Sequence, residues 1–498
     1  MFLFIKLYFA FKFCKLLNIY YNMDTEKYII GNDFCSSGET VDIINPYTNK
    51  IVKKVYKSTA DDINTSVNYL TKIFPKFKNL PVYIKSEFLE RITNKIIERK
   101  ELLAEILTLE TGKPIKLSEI EVDRAIFTFK TGAEESRRLG GEIIDLDQLK
   151  GSEKKKGIIK RFPIGVILAI TPWNFPVNLV AHKLSPALAS GNVILLKPAS
   201  ASLCCGIEIV KIIKETADEM KFGFCPVNVV TNSGSEIEQF VSDDRIKMVS
   251  FTGSPLVGWN LKKKLSRQRI SLELGGNAGV IIDESADVKI AALKIAAGAF
   301  AHAGQSCISV QRVFVHKSLF NEFKKLLLEE TKKIKFGNPF DEGVLVGPMI
   351  NENEAKRIQL WIEDALGKGA TCLAGGRRVG AVYQPTIIEN ASSDCDVNSK
   401  EVFAPLLTLT VFEDFKKAVE EINNSDFGLQ AGVFTNNLSN VMYAFENIET
   451  GGVVINDVST YRMDSMPYGG VKHSGIGKEG IKYAIEEMTE KKILVLEI

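Results

Sequence analysis

Four short segments of the chain set a reactive side chain beside a glycine or proline turn. Gly304-Gln305-Ser306-Cys307 carries a cysteine just after a glycine, near what reads as a helix end. A thiol placed this way can be exposed and have a lowered pKa, which makes a thiolate nucleophile. Taken alone, the same residue reads as an ordinary buried cysteine, the commoner fate of a single thiol. Ser271-Leu272-Glu273-Leu274-Gly275-Gly276-Asn277 puts a carboxylate between leucines and ahead of two glycines. Desolvation there raises a carboxyl pKa and suits it to general-base work; a strand-end glutamate facing water is the plainer alternative. Thr171-Pro172-Trp173-Asn174-Phe175-Pro176 fixes an amide between two prolines. That amide can donate to a developing oxyanion or simply cap the next helix. Phe251-Thr252-Gly253-Ser254-Pro255-Leu256-Val257-Gly258 stands between a strand and a helix, where glycines let a phosphate approach backbone donors. It is not a GxGxxG motif. No GxxxxGK[ST] loop occurs anywhere, so a nucleotide triphosphatase of that type has no support.

The elements that must position these segments change character along the chain. Residues 42–58 read as short extended segments about the turn Asn45-Pro46-Tyr47-Thr48-Asn49. From 58 to 140 apolar residues recur at three and four spacings with charges between them, the pattern of amphipathic helices. Residues 150–156 read as a solvated loop or an edge strand. After residue 157 apolar strands near 165–170, 192–196, 227–230 and 248–251 alternate with helical stretches at 177–189 and 203–220. The rhythm resumes after Gly279, with strands near 280–282 and 311–315 and a helix at 319–333. Alternation of this kind predicts right-handed crossovers and parallel sheets, an α/β chain of two doubly wound units joined near residue 275.

Composition removes other classes. The chain has 498 residues, enough for two or three domains, with 63 basic and 61 acidic side chains. That balance leaves no basic footprint for nucleic acid. The eight cysteines (Cys14, Cys35, Cys204, Cys205, Cys225, Cys307, Cys372, Cys395) form no CxxC pair, and there are four histidines, so no metal site is expected. Reduced thiols in a cytoplasmic compartment are expected rather than a disulfide scaffold. Residues 1–22 are unlike the rest, rich in Phe, Leu, Ile, Tyr and Lys. They lack a small-residue cleavage site, and Lys6, Lys12 and Lys15 interrupt any membrane span. The favoured reading takes Met23 as the start and 1–22 as an extension or misassigned start, so no membrane partner is expected.

Together the segments resemble the aldehyde dehydrogenase superfamily. TPWNFP, GNVILLKP, FTGS, LELGG, GQSC, EVFAP and PYGGVKHSGIGKEG stand in that family's order, and Glu273 precedes Cys307 by the family's usual 34 residues. The resemblance runs from about residue 40 to the end. It implies a Rossmann-like NAD(P)-binding domain from 23–140 and 160–275, a catalytic domain from 276–470, and a β oligomerisation arm with a carboxyl-terminal segment from 141–159 and 471–498. It implies Cys307 as nucleophile, Asn174 with the Cys307 N–H as oxyanion hole, and Glu273 as the base that hydrolyses a thioester. It also implies cofactor contacts from Thr171, Trp173, Lys197, Ser200, Gly234, Phe251, Gly253, Ser254, Pro255, Leu256, Val257, Gly258, Glu401 and Phe403, and a homodimer or homotetramer.

Two departures from the family pattern bear on the cofactor. The loop before Gly234 reads Asn232-Ser233-Gly234 where the family often has Gly-x-Gly. Position 200, often Glu in NAD-preferring members, is Ser200. Without that charge NADP is expected to be accepted alongside NAD, with Lys197 pairing the phosphate. The carboxyl-terminal block is similar to archaeal-type lactaldehyde dehydrogenases and relatives acting on glyceraldehyde 3-phosphate or phosphonoacetaldehyde. Arg124 and Arg462 are the candidate substrate-binding residues, able to clamp a carboxylate or phosphate. Alternatively each pairs with a neighbour, Arg462 with Asp464 and Arg124 with Asp123 or Glu121. Ser306 stands where phosphate-using relatives often have Arg, which favours lactaldehyde; succinate semialdehyde is a further alternative. A non-catalytic cofactor-binding relative would have lost Cys307, Glu273 or Asn174, and all three are present. An acylating relative would often lack the Glu273 base.

Overall fold

The computed structural model describes residues 24–497; the reading of residues 1–22 lies outside them. A hairpin of Thr40–Asn45 and Lys50–Tyr56 leads into four helices, Ala60–Lys78, Val82–Glu98, Lys100–Thr111 and Ile115–Ser136. The first begins at a capping box, in which Thr59 and Asp62 satisfy each other's backbone N–H groups. It buries Ile63, Val67, Leu70, Ile73 and Phe77, one face at helical spacing. The third ends at Gly112, whose φ of +69° closes the last turn in the left-handed region.

Two parallel-rich sheets follow. The first runs in the order Asp33–Cys35, Tyr28–Ile30, Val227–Val229, Val193–Lys197, Val166–Ile170, Ile246–Thr252, Arg269–Glu273, Gly475–Ile476. Its five central strands are parallel. Val166–Ile170 and Val193–Lys197 are buried at every position, because helices cover both faces and a strand with no wet face is almost wholly apolar; the one polar residue is Lys197, at a carboxyl end. The second sheet runs Thr371–Ala374, Thr386–Glu389, Leu406–Phe412, Val310–His316, Ala278–Ile282, Ala431–Phe434, Val453–Ile455 and is parallel except at its first pair. Both sheets are doubly wound, the α/β architecture expected. Gly141–Asp145, Lys155–Pro163 and Thr489–Glu497 form a separate antiparallel sheet. Among the described residues no helix is long and apolar enough to cross a membrane.

Only four residues separate the last long strand of the first sheet, Arg269–Glu273, from the first strand of the second, Ala278–Ile282. The carboxyl edge of one sheet is thereby joined to the amino edge of the other, and the candidate site lies at that junction.

Candidate active site

In the first sheet the chain winds outward in both directions from Val166–Ile170 and its neighbour Ile246–Thr252. Such a switch point leaves a crevice beyond the carboxyl ends of the strands. A cavity of about 770 Å³ opens there, lined among others by Trp173, Asn174, Glu273, Cys307, Glu401 and Phe403. Thr171-Pro172-Trp173-Asn174 continues the first of these strands, and Glu273 ends the strand beyond the second.

Cys307 arrives from the other sheet, on the loop that enters Val310–His316 at its amino end. That loop is wound tightly. His302 (φ 53°), Ala303 (φ 54°) and Gly304 (φ 65°) are successive left-handed residues, costing roughly 1–2 kcal/mol at each non-glycine. Gln305 braces it. Its side-chain Nε2 donates to the carbonyls of His302 (3.2 Å) and Pro348 (3.3 Å), and its Oε1 accepts from the Ile350 N–H (2.8 Å). The Asn174 Nδ2 donates to the Gln305 carbonyl at 2.9 Å, so the amide is anchored against the cysteine loop. It does not cap the following helix, Asn178–Ser190, whose cap position is Val177. Two glycines permit the approach. A Cβ at Gly276 would stand 2.2 Å from the Cys307 carbonyl oxygen, and one at Gly275 would stand 2.4 Å from the Glu401 carboxylate.

Burial dominates the electrostatics. It pushes the Cys307 thiol up to about 12; the Tyr468 hydroxyl, 3.1 Å from Sγ, and Arg462 work against it, while Glu401 and Glu273 add to it. This thiol therefore needs a base. Glu273 is 3% exposed, and neither carboxylate oxygen has a hydrogen-bond partner among the described residues. Burial, reinforced by the Glu479 carboxylate, drives its pKa well above the usual carboxylate range, against the pull of Arg462, Lys183 and Lys478. A carboxyl raised in this way is a stronger proton acceptor than one in water. Glu401 is likewise raised by burial, to about 7, although it accepts the Gly276 N–H at 3.0 Å.

Both candidate arginines line the cavity, and both are partnered. Arg124 grips Asp464 through Nε (3.0 Å) and Nη2 (2.7 Å). Asn178 and His182 complete the shell of Asp464, at 3.0 and 2.8 Å. Arg462 donates to Glu479 at 2.9 Å and lies 3.9 Å from Asp464; Glu479 also holds Lys183 at 3.2 Å. The neighbours nearest in sequence to Arg124 are engaged elsewhere, Asp123 by Lys100 and Glu121 by Lys113. Arg462 Nε is buried without a hydrogen-bond partner.

Of the other expected contacts, Gly253 and Ser254 line the cavity, and the Trp173 and Phe403 rings meet edge to face with centroids 5.7 Å apart. Thr171, Lys197, Ser200, Gly234, Phe251, Pro255, Leu256, Val257 and Gly258 do not line it. Lys197 ends the strand Val193–Lys197, and burial lowers it to about 8 against the opposing Glu236 carboxylate. Ser200 opens the turn Ser200–Ser202. Ser233 caps the short helix Gly234–Ile237 in a capping box with Glu236, which takes the place of a glycine there. On the helix Pro255–Lys264, Leu256 and Val257 are exposed, whereas Gly258 packs on Leu274, which a Cβ would meet at 2.4 Å. Tyr468, Glu479 and Lys183 carry no role in the sequence reading. A lysine beside a histidine in the largely apolar helix 178–190 was the one visible signal among them.

The aldehyde dehydrogenase family model matches residues 34–494. A 3-sulfolactaldehyde dehydrogenase from Priestia aryabhattai is 41% identical over 471 residues, covering 94% of this chain and 97% of its own. A lactaldehyde dehydrogenase from Methanococcus aeolicus is 38% identical over 457 residues, covering 92% and 97%. The solved structure of glyceraldehyde-3-phosphate dehydrogenase GapN from Methanocaldococcus jannaschii, complexed with NADP, superposes with a TM-score of 0.89 at 36% identity, over 93% of this chain and all of that one, 100%.

Proposed function

The chain belongs to the aldehyde dehydrogenase family, and on that premise we propose that it oxidises a small 2-hydroxyaldehyde carrying an anionic group to the corresponding acid, with NADP or NAD. The observation that carries the reading is the convergence in one cavity of a cysteine, an amide and an unpartnered buried glutamate. Glu273 takes the Cys307 proton, Sγ adds to the aldehyde carbon, and the carbonyl electron pair moves onto oxygen. The Asn174 amide spends one N–H on Gln305 and keeps its second for that oxyanion. Glu273 releases the thiol's proton to solvent, and after oxidation to the thioester it draws a proton from water, which attacks the acyl carbon and expels the thiolate.

The residues present fit a nicotinamide dinucleotide. The buried hydroxyls of Thr171 and Thr252 have no partner at the carboxyl ends of neighbouring strands, and Glu401 presses into a space that only Gly275 leaves open. When bound, the nicotinamide supplies the oxidant. Trp173, Glu401 and Phe403 would hold its ring end, and Lys197 with Ser200 the adenosine ribose. Ser200 offers no carboxylate to repel a 2′-phosphate, which supports acceptance of NADP.

The anionic group rests on charge. Arg124 and Arg462 both stand at the cavity wall, oriented by Asp464 and Glu479. Two guanidinium groups at one wall suit an anionic substituent. The relative acting on 3-sulfolactaldehyde is consistent with a sulfonate, and GapN with a phosphate. Unsubstituted lactaldehyde is the second reading, favoured by Ser306 in place of an arginine. NAD(P)H formation over lactaldehyde, 3-sulfolactaldehyde, glyceraldehyde 3-phosphate and succinate semialdehyde tests the choice. A kcat/KM for lactaldehyde above those of all three anions would overturn the charge argument, and activity surviving in Cys307→Ala would overturn the mechanism.

A further inference from the structure

Tyr468 is 3% exposed, and its hydroxyl makes one hydrogen bond among the described residues, to Cys307 Sγ at 3.1 Å. Its place is held from three sides. The backbone bridges to Glu479, whose carbonyl accepts the Tyr468 N–H at 3.1 Å and whose N–H donates to the Tyr468 carbonyl at 2.6 Å. The Arg462 guanidinium lies over the ring, 3.7 Å from its centroid, and is itself tied to Glu479. Ile308 and Leu429 pack on the remaining ring surface. The phenol therefore has no freedom to seek another acceptor.

We propose that Tyr468 is a catalytic residue of this site, an O–H donor that stabilises the Cys307 thiolate before attack and again when the thioester is cleaved. The inference rests on Cys307 being the nucleophile. Once Sγ loses its proton it can only accept, so the phenol must be the donor. Burial and the neighbouring negative groups keep the phenol protonated, so it lends a hydrogen bond without giving up its proton. A hydrogen bond to the charged form of a group favours that form. The other groups that face the sulfur are Glu273 at the end of Arg269–Glu273, Glu401 ahead of Leu406–Phe412, and Arg462. Two of these three are carboxylates, which oppose a thiolate when ionised. Tyr468 and Arg462 are thus the groups that favour it. Acylation of the sulfur takes away the acceptor, and expulsion of the thiolate restores it, so the same hydrogen bond serves both ends of the cycle.

The test is the rate of iodoacetamide alkylation of the full-length protein at a fixed pH of about 8, with Cys307 identified as the labelled residue by peptide mass. Tyr468→Phe removes one oxygen and leaves the ring and its packing. The alkylation rate is expected to fall by about three- to tenfold, the loss of thiolate that follows loss of a hydrogen bond to a charged group, partly offset by the higher nucleophilicity of a more basic thiolate, with Tm and NADP affinity as in the wild type. An unchanged rate in a variant with wild-type Tm and NADP affinity overturns the proposal. Aldehyde oxidation by wild-type protein already alkylated at Cys307 would instead overturn the nucleophile assignment, an outcome distinguishable from the first.

Discussion

Arg124 and Asp464 lie 340 residues apart and close on each other through two hydrogen bonds, at 3.0 and 2.7 Å, at the wall of the cavity that holds Cys307. One comes from a helix of the segment that precedes the first sheet's parallel strands. The other comes from the loop that ends the second sheet. The fork orients the guanidinium, and Asn178 and His182 hold the carboxylate that does so.

Removing that carboxylate charge should uncouple binding from chemistry. Asp464→Asn leaves the part-buried Arg124 without its charged partner and is expected to cost about 1–3 kcal/mol in urea unfolding. The KM for an anionic aldehyde should rise by about tenfold, with a smaller change in kcat. Burial opposes ionisation of Asp464, but hydrogen bonds from His182 and Arg124 prevail and hold it well below the usual carboxylate range. Its stabilisation is therefore complete above the unfolded pKa of about 4 and is lost as pH falls below it. The acid side of the stability profile should be shallower in Asp464→Asn.

Glu273 predicts the opposite limb of a different profile. Its pKa is raised, so it is protonated at the acid end and becomes a base as pH climbs. Steady-state kcat should increase with pH along a limb displaced upward from the usual carboxylate range. Glu273→Gln should flatten that limb and lower kcat by about 10²–10⁴-fold. A rapid-mix measurement should show the NAD(P)H-forming phase slowed as well, because the same carboxylate takes the thiol's proton before attack.

Ser200→Glu should restore a carboxylate beside the adenosine ribose. The ratio of kcat/KM for NADP to that for NAD should fall by at least about tenfold, the effect of roughly 1.4 kcal/mol of repulsion. Lys197, lowered to about 8, loses its charge as pH rises through that value. The KM for NADP should accordingly climb above pH 8 more steeply than the KM for NAD.

The sheet of Gly141–Asp145, Lys155–Pro163 and Thr489–Glu497 exposes Ile143, Ile158 and Leu494, which stand opposite one another on a single face. We infer that a second copy of the chain covers this apolar face, since an open strand edge with such residues invites association. Leu494→Lys should shift the mass measured by light scattering toward the monomer. An unchanged mass would place the subunit contact elsewhere.

Much of the site could be read without coordinates because it is written locally. Glu273 and Cys307 each sit in a glycine-bearing turn, and the buried strands announce themselves as unbroken apolar runs. The glycines of 275–276 are informative for the same reason: close approach of another backbone excludes a side chain, and that exclusion leaves a mark in the residue type.

Other features depend on how the two sheets face each other, and residue type carries no record of that. Arg462 has Asp464 two residues away, yet its short contact is with Glu479, and Asp464 goes to Arg124. An ion pair follows whichever charge the fold desolvates alongside it, so sequence proximity is a poor guide among buried groups. Tyr468 reads as one more aromatic in a glycine-rich block, and only the junction of the sheets brings its hydroxyl to the sulfur. The sequence alone marked the candidate reactive residues and the alternation that builds both sheets, since each depends on neighbours within a few turns of chain. The tertiary structure decided the burial of Glu273, the partners of both arginines and the company kept by Cys307, because burial and electrostatic pairing belong to the packed assembly and to no single segment.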